Sequence, residues 1–136
     1  MSKSDQTDKR LYKQEGYDLV GAAFEVYNEL GQGFIEGVYQ DALEVELELN
    51  ELAFTAQPDL QVNYKGRDLK TRYRPDLFVE EGIVVELKAV SGLCDDHVAQ
   101  LMNYLKATGK PVGYLINFGN ADKLEWKRIA NTEGNR

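Results

Sequence analysis

Three residues in the middle of the chain have the types and spacing for joint chemistry: Asp76, Glu86 and Lys88. Glu86 and Lys88 interrupt the apolar run Ile83-Val84-Val85-Glu86-Leu87-Lys88-Ala89, whose β-branched residues suit the middle of a sheet. Strand side chains alternate faces, so the two charges two residues apart point the same way. Charges on one face of an otherwise apolar strand are costly unless they are paired or used. Asp76 lies ten residues upstream, between Pro75 and the apolar Leu77-Phe78-Val79. Two facing carboxylates repel, and a hard divalent ion with a preference for oxygen relieves that repulsion. Asp76, Glu86, the Leu87 carbonyl and Glu36 are the candidate oxygen ligands for such an ion. It would lower the pKa of a bound water and hold a phosphate. Lys88 would orient the attacking water or offset charge in the transition state. The bland alternative is a buried carboxylate–lysine pair with no ligand.

The elements that position these residues follow from loop length. A two-residue loop between the strands at 76–79 and 83–89 would turn Asp76 away from Glu86. A three-residue loop, Glu80-Glu81-Gly82, sets the two carboxylates opposite each other on one face. Such a loop favours a positive φ at its end, and Gly82 occupies that place.

Upstream, Tyr17, Val20, Phe24 and Tyr27, with Ala23, predict a helix over Leu11–Leu30 buried along that stripe, ended by Gly31-Gln32-Gly33. Val38, Ala42, Val45, Leu49 and Leu52 predict a second helix. Residues Glu44–Leu49 also alternate as a strand would, but the length of the stripe and its Leu and Glu content favour helix. Glu36 falls at its start, where a glutamate often only complements the helix dipole. Strands are expected at Phe54–Gln57, Gln61–Tyr64 and Arg67–Tyr73, the last two joined by a tight turn at Lys65-Gly66. Downstream, a helix capped by Asp95 or Asp96 runs through Ala107, with Val98, Leu101, Met102 and Leu105 as its buried stripe. His97, Gln100 and Tyr104 share a second face of it. His97 could meet a phosphate or serve only structure. Strands at Val112–Phe118 and Leu124–Ile129 close the chain. A helix between Ile83–Ala89 and Val112–Phe118 makes those strands parallel. The fold class is therefore α/β, a mixed sheet covered by helices. The organisation expected is a flexible leader over residues 1–10, a single domain over 11–129, and a flexible tail over 130–136.

The chain has 136 residues, enough for one domain with a real core. Its net charge of −7 argues against a sequence-independent nucleic-acid coat. The charge is uneven. Six acids and no base lie between Glu36 and Glu51, whereas Lys65, Arg67, Lys70, Arg72 and Arg74 cluster with one acid. That basic strip could hold a phosphate backbone, or it could be a solvated face. One cysteine, Cys94, excludes an internal disulfide and a cysteine-cluster zinc site. No apolar run approaches the ~20 residues of a membrane span, and no membrane partner is expected. A cytoplasmic location fits best.

Pro75-Asp76 followed by Glu86-Leu87-Lys88 resembles the PD-(D/E)xK signature of the restriction-endonuclease-like nuclease superfamily. Gly33-Phe34-Ile35-Glu36-Gly37-Val38-Tyr39 resembles the motif that names the bacterial GxxExxY proteins, a small group within that superfamily. Tyr64-Lys65-Gly66, the segment from His97 to Lys106 and Val112–Gly119 are similar to that group as well, so the resemblance spans Tyr17 to Arg128. It implies a restriction-endonuclease-like mixed central β-sheet flanked by α-helices, with the site at one edge. It further implies a Mg²⁺-dependent nuclease, with Mn²⁺ as the other ion, acting on DNA in the first place and RNA as the alternative. Asp76, Glu86 and Lys88 map onto the superfamily's core, and Glu36 onto a helical glutamate that joins its metal site. Gln100 and Tyr104 match a Gln-x-x-x-Tyr spacing of RecB-like nucleases. This makes them positioning groups for phosphate or for Lys88, against an alternative of plain helix–sheet packing. The implied nucleic-acid contacts are Lys65, Arg67, Lys70, Arg72, Arg74 and His97. Two other readings stand beside the enzyme: a non-cleaving binding or regulatory module, and a homodimer or scaffold joined through the N-terminal helix.

Overall fold

A computed structural model describes residues 12–131. Among these residues, three helices and seven strands follow in the order α1 (Lys13–Leu30), α2 (Glu36–Leu49), β1 (Phe54–Ala56), β2 (Leu60–Tyr64), β3 (Arg67–Tyr73), β4 (Leu77–Val79), β5 (Ile83–Lys88), α3 (Asp95–Thr108), β6 (Val112–Asn117) and β7 (Glu125–Ala130). Five strands form a mixed sheet in the order β1-β4-β5-β6-β7, and β2-β3 is a separate two-stranded ribbon. β5 and β6 are parallel and the other pairs antiparallel, as the helical crossover between them requires. Helices α1 and α2 cover one sheet face through Leu19, Val26, Leu43, Leu47, Val85, Leu87 and Ile116. Helix α3 and the base of the ribbon cover the other through Leu101, Leu105, Val84, Leu115 and Tyr73. The expected α/β layers are present.

Both N-terminal helices form where expected, and Val20, Ala23 and Leu52 are buried as expected, but the rest of each buried stripe differs. Tyr17 and Phe24 are exposed, and α1 packs through Gly16, Leu19, Val20, Ala22, Ala23 and Val26. A Cβ on residue 16 would lie 2.0 Å from the Tyr114 hydroxyl, so the helix passes the Tyr114 ring only with glycine at that position. The rings are displaced to its outer side. In α2, Tyr39, Leu43 and Leu47 are fully buried while Val45 and Leu49 are exposed. Alternate residues of a helix diverge by about 200°, whereas i and i+4 stay together, so one half of the apolar alternation must face water.

The loop between β4 and β5 has the expected three residues and pairs Leu77 with Val85 and Val79 with Ile83. Its left-handed residues are Glu80 and Glu81, with φ of 52° and 58°, and not Gly82. Gly82 is needed for another reason: the Tyr12 ring lies 2.0 Å from where its Cβ would be. The Lys65-Gly66 turn has both residues at positive φ, as a tight hairpin demands. The expected leader, 1–10, lies outside the described residues, as does 132–136 of the expected tail. The start of that tail is ordered, since β7 extends through Ala130 and Asn131 is buried with its side chain on the Leu105 and Lys110 carbonyls. Among the described residues, no helix is long and apolar enough to cross a membrane.

The Gly82 contact is testable by thermal or urea unfolding. Gly82→Ala should cost about 1–3 kcal/mol through overpacking, and most of that cost should vanish in a Tyr12→Ala background. Equal costs in both backgrounds would show that the Tyr12 ring is not what excludes a Cβ.

Candidate active site

Asp76 immediately precedes β4, and the β4–β5 register carried one step further sets it opposite Glu86. Pro75 ends the ladder because it has no N–H to donate. Beside it the Asp76 carboxylate ties the chain to β5, its Oδ2 accepting the Leu87 N–H at 2.6 Å. The Asp76 carbonyl accepts the Gln57 N–H at 2.9 Å and the Gln40 side-chain amide at 3.0 Å. Three separate parts of the chain thus fix this one residue.

Strand alternation puts Glu86 and Lys88 on the α3 side of the sheet with Val84, while Val85 and Leu87 enter the opposite core. Glu86 is half-buried, and its Oε2 accepts a hydrogen bond from the Tyr73 hydroxyl. Burial drives the Glu86 pKa up to about 7, with the neighbouring Asp76 carboxylate adding to the rise; the Tyr73 hydrogen bond and Lys88 oppose it. Tyr73 is held protonated, first by its burial and then by Glu86. Its ring stacks on Tyr104 with centroids 4.0 Å apart and planes 7° apart.

The backbone after Lys88 is locked as well. The fully buried Asn117, beside Lys88 in the parallel register, accepts the Val90 N–H and donates to the Val90 carbonyl, both at 2.9 Å. Asn117 also donates to Glu125, whose carboxylate accepts the Leu93 N–H. The Phe118 N–H donates to the Lys88 carbonyl at 2.9 Å. A Cβ on residue 119 would lie within 2.5 Å of the Ala89 and Val90 backbone, so the chain passes here only as glycine.

The other expected site residues are placed as follows. Glu36 is exposed on the first turn of α2. It does not join Asp76 and Glu86: among the described residues, no three His, Cys, Asp or Glu gather as a metal-holding group. The α2 residue that reaches Asp76 is Gln40, one turn further on. Tyr39 of the same segment is buried, donating to the Gly31 carbonyl at 2.6 Å and stacking on Phe118, so it shapes the fold. Gln100 is exposed on α3, and Tyr104 packs against Tyr73. His97 serves its own helix, its Nδ1 accepting the Cys94 N–H at 3.2 Å; Cys94, not Asp95 or Asp96, is the cap. Lys65, Arg67, Lys70, Arg72 and Arg74 are all exposed on the ribbon, and Arg74 lies 3.6 Å from Asp59. Sequence reading missed Tyr73 and Gln40. Tyr73 is the one buried residue of β3, masked by the basic residues around it, and Gln40 lies at helical spacing from Glu36.

The donor set fits a hard divalent ion. Asp76 and Glu86 are paired carboxylates, each with one oxygen hydrogen-bonded within the fold, and Glu86 resists ionisation without a cation. In metal-free protein the folded state should therefore bind more protons than the unfolded chain between about pH 4.5 and 7. Stability should then fall as pH rises through that window, by no more than about 1.4 kcal/mol per pH unit. Urea unfolding of the wild type and Glu86→Gln in EDTA isolates this slope. An unchanged slope in Glu86→Gln would assign the pH dependence elsewhere.

A family model of the PD-(D/E)XK nuclease superfamily matches residues 13–129. No curated protein matches the chain. Among solved structures, the crystal structure of SSO0001 aligns with a TM-score of 0.55 at 21% identity, covering 90% of this chain. The chain spans 61% of that protein's length, and the likeness is one of fold. The paired carboxylates, the lysine two residues on and the matched family model lead to one conclusion: this chain belongs to the PD-(D/E)XK nuclease superfamily.

Proposed function

We propose that this protein is a Mg²⁺-dependent nuclease of the GxxExxY type that hydrolyses DNA phosphodiester bonds in the cytoplasm, with Mn²⁺ able to replace Mg²⁺. The observation that carries the reading is the register that sets Asp76 opposite Glu86, with Lys88 two residues on along the same strand face. Asp76, Glu86 and the Leu87 carbonyl are the ligands proposed for the ion. When bound, the ion supplies Lewis acidity toward a phosphate oxygen and an acidified water. Lys88 orients the attacking water and offsets charge on the phosphate in the transition state. The ribbon supplies phosphate contacts: Lys70 and Arg72 share one face of β3, and Lys65 lies at its tip. Glu36 remains a candidate ligand by a shift of the first turn of α2, and Gln100 a candidate phosphate contact from α3. Exposed Tyr17, Phe24 and Trp126 border a groove of about 550 Å³, the face proposed for a homodimer or a protein partner.

A specific observation favours the second reading, a non-cleaving nucleic-acid-binding module. Glu36 is exposed on the first turn of α2, and among the described residues no third acid gathers with the carboxylate pair. One experiment separates the two. Labelled single- and double-stranded DNA and RNA are incubated with the protein in Mg²⁺, Mn²⁺ or EDTA. Wild type should cut DNA only with the ion, and Glu86→Gln and Lys88→Ala should each slow cleavage by at least about 10²-fold. Cutting that survives both substitutions would sink the site. Binding without cutting of any substrate would establish the module.

A further inference from the structure

The basic ribbon and the carboxylate pair meet at one residue. Tyr73 ends β3, is buried, and gives its hydroxyl proton to Glu86 Oε2. A carboxylate on a strand can rotate about its terminal torsion, and a directional O–H donor to one oxygen restrains that rotation. The Glu86 carboxylate, across the strand pair from Asp76, is thereby held in one orientation. Tyr73 is restrained in turn. The Tyr104 ring covers it at 4.0 Å, nearly parallel, and Tyr104 belongs to α3, which is anchored on the sheet through Leu101 and Leu105. Cross-strand pairing of Leu60 with Tyr73 fixes it from the ribbon side.

We propose that Tyr73 is a positioning residue that orients the Glu86 carboxylate for the divalent ion, with Tyr104 as its brace. The inference rests on the metal-dependent reading above. It gives Tyr104 a role other than direct contact with phosphate or Lys88, since its ring lies on Tyr73. It also ties the ribbon to the site, because the residue next to Arg72 on β3 is the one that holds Glu86.

The substitutions separate orientation from packing. Tyr73→Phe keeps the stacked ring and removes only the donor. Tyr104→Phe keeps the brace, and Tyr104→Ala removes it. Mn²⁺ binding is measured by the electron paramagnetic resonance signal of the free ion, alongside the kcat and KM of DNA cleavage and the Tm of each variant. Tyr73→Phe should weaken Mn²⁺ binding about 10–100-fold, the range for losing a group that orients a metal ligand. It should lower kcat with KM for DNA unchanged. Tyr104→Phe should keep more Mn²⁺ affinity than Tyr104→Ala, and Tyr104→Ala should fall between wild type and Tyr73→Phe. Mn²⁺ affinity and kcat of Tyr73→Phe equal to wild type would overturn the proposal while leaving the nuclease reading intact. A wild-type protein that neither binds Mn²⁺ nor cleaves DNA would overturn both. A Tm loss in Tyr73→Phe with unchanged Mn²⁺ affinity would make Tyr73 a packing residue only.

Discussion

The structure depends on the hydrogen bond from the Leu87 N–H to the Asp76 carboxylate. It forms where the β4–β5 ladder must stop, because Pro75 has no donor and β4 ends there. Next to it a side-chain oxygen accepts the β5 amide, and the same bond holds one carboxylate opposite the other. A fold-stabilising contact and a proposed metal ligand thus fall on a single residue. The Asp76 carbonyl is bound from β1 and α2 at the same time, so a shift in any of these elements is felt at the carboxylate pair.

Around that bond the protein is built rigidly on one side and openly on the other. Asn117, Glu125 and the close passage at Gly119 lock the crossover after Lys88, and Tyr73 and Tyr104 lock Glu86. The ribbon beyond Tyr73 is exposed along most of its length and carries most of its basic residues on the outside. Pre-set polar groups next to an accessible basic surface suit a reaction in which charge develops on a phosphate. They suit it better than a fold whose acidic total would repel nucleic acid everywhere.

The energetic cost of the arrangement lies at Glu86. Burial and a like charge raise its pKa to about 7, and the Tyr73 hydroxyl and Lys88 only partly offset this. Such a group is poor for stability and suited to binding a cation, a trade common at functional sites.

Much of this was legible in the sequence because it is local. The facing of Asp76 and Glu86 follows from counting three loop residues between two strands of period two, and that count holds whatever packs around the hairpin. The sheet order around β5 and β6 follows from a helix too long for any connection but a crossover. The basic ribbon is visible as a charge cluster. The reasons for individual residues were less legible. Gly82 serves the Tyr12 ring and not its own φ, and His97 caps its helix. The buried faces of α1 and α2 were predicted only in part, with Val20, Ala23 and Leu52 buried as expected, because hydrophobicity was weighed without shape: Gly16, not Tyr17 or Phe24, fits against the Tyr114 hydroxyl. Tyr73 and Gln40 could not be recognised at all, since their partners, Glu86 and Asp76, lie 13 and 36 residues away in sequence. The sequence by itself determined which residues share a strand face, because that is set by backbone periodicity. Only the tertiary structure decided which side chains from other elements close on that face, because those contacts depend on how helices and ribbon dock against the sheet.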